Sequence, residues 1–177
     1  MTRPPRDPAA TAGEVAPATT ATTAATAAAA GEAAPALPRT RAYAEVAPGD
    51  VLPELSVPLT RTLIVATALA SRDYQDVHHD PDLARERGAK DVFLNILTSN
   101  GLVDRYVTGW AGPACVVKAI RIRLGVPGHP GDTLVFTGTV TGTSDTDRQV
   151  EIAVRGTTGL GDHVTGTVSV RLPEGER

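Results

Sequence analysis

The chain has 177 residues, with 17 Lys+Arg against 20 Asp+Glu and a formal net charge of −3; the length suits one domain, and the charge lacks the cationic excess of a protein that neutralises phosphates, so nucleic acid is not an expected partner. Hydrophobic residues make up 41% but aromatics only 3%, so the core is expected from Val, Leu, Ile and Ala, and base-stacking surfaces are disfavoured. The single cysteine, Cys115, can neither staple the chain nor cage zinc, which fits a reducing cytoplasm, and no apolar run approaches the roughly 20 residues of a membrane span or reads as a secretory signal.

Residues 1–42 are mostly Ala, Thr and Pro. Such a segment has too little apolar surface to offset the entropy of ordering it, so a disordered tail is expected ahead of a domain over residues 43–177. The stretch "TLIVATALA" begins like a strand and drifts towards helix. Asp80-Pro81 reads as an N-cap with Pro at the first helical position, and Gly88 as the stop of the short helix between them. Over residues 91–110, apolar side chains from Val92 to Val107 surround more than half the helical circumference. A helix apolar over so wide an arc is expected to be wrapped by something.

Alternation at period two then recurs over residues 115–124, 133–141, 149–155 and 164–172, separated by the turns "GVPGHPGD", "TSDTD" and "TGLGD". This predicts an antiparallel meander with one buried and one wetter face. A one-sided sheet and an over-apolar helix solve each other's burial problem. The expected fold class is therefore α+β, a hot-dog arrangement in which a curved antiparallel sheet wraps a long central helix.

Of four histidines, only His78 and His79 sit among carboxylates, in "SRDYQDVHHDPDLA". A sharp turn through Gln75 and Asp76 would let Asp73 and His78 converge on one water molecule, which is general acid–base geometry. Asp73 as a turn cap, and a His78-His79-Asp80 metal site, are the other readings of these residues. His129, in a Pro/Gly turn, and His163, at a strand start, are expected on the surface or in turns.

The stretch Asp73-Tyr74-Gln75-Asp76-Val77-His78-His79-Asp80, with "PGHPGDTLVFTGTV" later on, resembles the MaoC-like enoyl-CoA hydratases over residues 51–172. The family motif is Asp-x-Asn-Pro-x-His-x-Asp; Asp73, His78 and Asp80 match it, while Gln75 and Asp76 stand where the family has Asn and Pro. More narrowly, residues 71–113 resemble the small MaoC-like subunit of actinobacterial steroid side-chain hydratases. That group pairs with a second MaoC-like chain that can carry a DUF35-type domain.

The resemblance implies hydration of a 2-enoyl-CoA, in particular a steroid side-chain enoyl-CoA of cholesterol catabolism, with Asp73 and His78 catalytic. The family's Gly at the start of the central helix, whose N–H holds the thioester oxygen, aligns with Ile96 after Asn95, so the substrate-binding role falls to Asn95 and Ile96. The resemblance further implies no metal or organic cofactor, the acyl-CoA being the substrate, and a cytoplasmic heteromer with a second MaoC-like chain. A hot-dog acyl-CoA thioesterase, and a non-catalytic subunit completing a partner's site, are the alternative functions.

Overall fold

In the computed structural model, which describes residues 39–175, five strands form one antiparallel sheet. The elements are β1 (Val51–Pro58), α1 (Arg61–Ala70), α2 (Pro81–Glu86), α3 (Ile96–Ala111), β2 (Val116–Leu124), β3 (Thr133–Ser144), β4 (Gln149–Thr158) and β5 (Gly161–Arg171). The expected tail lies outside the described residues up to residue 38. Residues 39–42 are tied to the fold: the Arg41 N–H donates to the Ala111 carbonyl at 2.9 Å, and its guanidinium sits 5.0 Å from the Trp110 ring.

The alternating pattern places Val150, Ile152 and Val154 of β4 inside, facing Val168 and Val170 of β5 and Phe136 and Val140 of β3. Against this face α3 packs Val103 and Val107, both fully buried. The architecture is the α+β hot-dog. Its helix is shorter than the apolar run suggested, because Asn95 caps it. Val92 and Leu94, which precede the cap, are buried in a non-helical segment instead. The wrapping is one-sided, and Ile96 and Leu97 at the start of α3 are exposed.

Two expectations need correction. The strand order is β1-β3-β4-β5-β2, so only β3, β4 and β5 form a meander; β2 pairs with β5 and not with β3. The Gly- and Pro-rich residues 125–132 cross the end of the sheet. Gly125 and Val126 donate to the His163 and Asp162 carbonyls, and Gly131 donates to Leu59.

Secondly, "TLIVATALA" is wholly helical. Thr60 Oγ1 caps Leu63 N at 3.0 Å, and Ile64 and Ala68, four apart, are the buried pair. Strand β1, on which no expectation was stated, carries Pro53 and Pro58. An edge strand tolerates the missing N–H groups, and its register breaks between Leu52 and Leu55, around Pro53.

Candidate active site

Helix α1 ends in Ser71, whose hydroxyl lies 2.8 Å from the Thr67 carbonyl and 3.0 Å from that of Ala68. Arg72 then takes a left-handed conformation at φ 58, rare for a residue with a side chain. The reversal brings the Asp73 N–H back to the Ala68 carbonyl at 2.9 Å. A short 3-10 turn, Asp76–His78, follows. Where the family has Pro, Asp76 holds this turn by charge, pairing with Arg87 at 2.5 Å just past the end of α2. Asp80 closes the stretch by capping α2, its Oδ1 accepting from Asp82 N at 2.9 Å and Leu83 N at 3.0 Å.

These turns set His78 Nε2 3.4 Å from Asp73 Oδ2, with only 7% and 17% of the two side chains exposed. His78 Nδ1 lies 2.8 Å from the Phe93 carbonyl. A carbonyl only accepts, so the neutral ring carries its proton on Nδ1 and presents a bare lone pair at Nε2. Two acceptors therefore face each other at a separation a donor can bridge. A water molecule donating to both is the simplest species that satisfies them.

Asn95 supplies the remaining support and is itself buried. Its Oδ1 accepts from Thr98 N at 2.9 Å, capping α3, while its Nδ2 donates to Asp73 Oδ2 at 3.1 Å and Ser71 Oγ at 2.8 Å. One side chain thus fixes the position of the carboxylate relative to the helix N-terminus. Because its amide is engaged in this way, a ligand at this end of α3 would meet the backbone. Among the described residues the Ile96 and Leu97 N–H groups have no acceptor, as expected of a first helical turn. The Ile96 side chain is 56% exposed.

The expectation for His129 and His163 is corrected, since both are buried, at 5% and 2% exposure. His129 lies in the crossing segment and His163 in β5, and both elements fold inward over the end of α3. His129 Nδ1 lies 3.0 Å from the Val92 carbonyl. His163 Nδ1 lies 2.8 Å from the Val126 carbonyl, with Nε2 2.8 Å from Ser99 Oγ in α3. Burial pushes the His163 pKa down, against the opposing pull of the Val126 carbonyl. With His78, these rings hold the loops around the α3 N-terminus. No local signal distinguished them from surface histidines.

His79 is exposed and Asp80 is committed to its cap, so the His-His-Asp alternative does not assemble. No group of three metal-ligating side chains occurs among the described residues. Beside Ser71, a mostly apolar cavity of about 320 Å³ opens between α1 and α3, floored by Thr67, Thr98 and Gly101.

The MaoC like domain model matches residues 44–160. The chain belongs to the MaoC-like family. It is 54% identical over 124 residues to the 3-oxo-4,17-pregnadiene-20-carboxyl-CoA hydratase beta subunit of Mycobacterium tuberculosis, covering 70% of this chain and 95% of that one. Among solved structures, the ChsH1-ChsH2 complex from Mycobacterium tuberculosis contains a chain 52% identical, matched with a TM-score of 0.69 over 71% of this chain and 98% of that one. The R-hydratase PhaJ1 of Pseudomonas aeruginosa shares the fold at 23% identity, with a TM-score of 0.70 over 76% of this chain and 86% of that one. Among the described residues no helix is long and apolar enough to cross a membrane.

Proposed function

We propose that this MaoC-like chain is the catalytic small subunit of an enoyl-CoA hydratase, adding water across the double bond of a 2-enoyl-CoA whose acyl group is a steroid side chain. The observation that carries this reading is the pair of acceptors, Asp73 Oδ2 and His78 Nε2, 3.4 Å apart beside a helix N-terminus. Asp73 and His78 hold a water and take its proton as the oxygen attacks the β-carbon. The pair then returns a proton to the α-carbon on the same face. Negative charge gathers on the thioester oxygen, where the Ile96 N–H and the α3 dipole stabilise it.

The thioester itself acidifies the α-carbon, so the reaction needs no metal or organic cofactor. Steroid specificity and a second MaoC-like chain, one that can bear a DUF35-type domain, are proposed from the relative of 54% identity and the two-chain complex of 52% identity. The lone thiol, Cys115, suits the cytoplasm.

The test is co-purification with the second chain, followed by mass spectrometry on steroid and straight-chain 2-enoyl-CoAs. The mass gain of one water on the steroid substrate supports the reading. Release of free CoA thiol without that gain would replace it with thioester hydrolysis.

A further inference from the structure

The first turn of α3 buries no apolar side chain. Ile96 and Leu97 are exposed, and Thr98 and Ser99, which follow them, are buried but polar. Apolar packing begins only at Leu102 and Val103, one turn later. Yet this turn carries Asn95 at its cap, whose amide holds Asp73, and the Ile96 and Leu97 N–H groups that lack an acceptor. With no hydrophobic burial to place it, its position falls to hydrogen bonds.

Those bonds form a chain from the sheet to the carboxylate. The Val126 carbonyl, 2.8 Å from His163 Nδ1, can only accept, so the neutral ring keeps its proton there and Nε2 is an acceptor. Ser99 Oγ lies 2.8 Å from Nε2 and 3.2 Å from the Asn95 carbonyl. A hydroxyl has one proton to give, and Nε2, at the shorter distance, takes it. The Asn95 carbonyl is served by the Ser99 N–H at 3.1 Å instead. Ser99 thus holds β5 with its side chain and Asn95 with its backbone, and Asn95 passes the constraint to Asp73 Oδ2 at 3.1 Å. His163, Ser99 and Asn95 are all buried, so water does not compete for these bonds. Burial also lowers the His163 pKa, which keeps the ring neutral.

We infer that His163 and Ser99 are positioning residues for hydration: their hydrogen bond sets the first turn of α3 and, through Asn95, the Asp73 carboxylate. This rests on the hydratase reading and deepens it by extending the site to a strand that touches none of the reacting atoms.

The test uses the full chain co-expressed with a second MaoC-like chain, and an enoyl-CoA to which the wild type adds water. Two substitutions divide the functions of the ring. His163→Asn puts an amide N–H where Nδ1 bonds Val126 but does not reach Ser99, whereas His163→Gln puts an amide oxygen where Nε2 accepts from Ser99. Both shrink a buried side chain and should lower the Tm alike. His163→Asn and Ser99→Ala should each lower kcat about 3- to 10-fold, the worth of one neutral hydrogen bond, with KM unchanged, as for a bond that matters in the transition state and not in binding. The double variant should fall no further than either alone, since both remove one shared bond. His163→Gln should keep the wild-type kcat despite its lower Tm. Hydrogen exchange should quicken at the Thr98 and Ser99 amides in His163→Asn and Ser99→Ala, and not in His163→Gln.

A kcat that is unchanged in Ser99→Ala, that falls in His163→Gln as far as in His163→Asn, or that falls additively in the double variant overturns the inference. Ser99→Ala removes a single oxygen and decides the matter alone if the His163→Asn chain does not fold. Wild-type protein that adds water to no enoyl-CoA defeats the hydratase reading instead. Exchange at the Thr98 and Ser99 amides then decides whether the pair sets the turn, and exchange indifferent to all three substitutions overturns that as well.

Discussion

Asp73 and His78 reach each other from opposite sides of a short loop, and each is held by an atom that cannot be mistaken for a reactant. The Phe93 carbonyl fixes the imidazole tautomer, and the Asn95 amide holds the carboxylate. Asp73→Asn should lower hydration at least 10²-fold, the usual scale of acid–base catalysis, with the Tm little changed, whereas His78→Ala should lower it as far and also lower the Tm, because it removes a buried ring bonded to the Phe93 carbonyl; steady-state kinetics alongside thermal unfolding checks both. Asn95→Asp is more discriminating. The new carboxylate still caps α3, but it sets a second negative charge where the Nδ2 donor lay 3.1 Å from Asp73. Like charges so close raise a carboxyl pKa, so the acid limb of the pH–rate profile should move to higher pH, a shift that mere destabilisation would not produce.

The elements that frame the site are pinned at their ends. Thr60, Asp80 and Asn95 each cap a helix with a side-chain oxygen, and His163 links β5, the crossing segment and α3 through Val126 and Ser99. That link depends on pH with a definite sign. Burial lowers the His163 pKa from its ordinary 6.5, so below about pH 6.5 the unfolded chain binds the proton more readily than the fold does. The stability is complete above that value and is lost as pH falls toward the depressed folded pKa. Denaturant melts from pH 7.5 down to about pH 5 should show this fall, and His163→Gln should flatten it.

The sheet as a whole ends in two unlike edges. On one side lies β1, irregular and proline-bearing. On the other lies β2, in which Val117, Ile120 and Ile122 reach the core but no residue is fully buried in the single chain. Co-expression with the second MaoC-like chain should therefore raise the Tm above that of the chain alone. The gain should shrink on dilution, as mass action requires when only the folded form binds. Thermal scans over a concentration series check this, and a Tm indifferent to both partner and dilution would count against the heteromer.

Much of the fold and part of the site were legible beforehand, for a physical reason. The alternation of β3 to β5, the Asp80-Pro81 helix start and the Asp73 to His78 spacing express chemistry among residues a few positions apart, which any reader of the chain has in hand. The position of β2 beside β5, the inward turn of His129 and His163 and the double duty of Asn95 could not be read that way. Each depends on a neighbour remote in the chain: Ser99 lies 64 residues from His163, and Asn95 lies 22 from Asp73. Burial and hydrogen-bond partnership belong to the packed sheet and helix, and come into being only when distant segments meet.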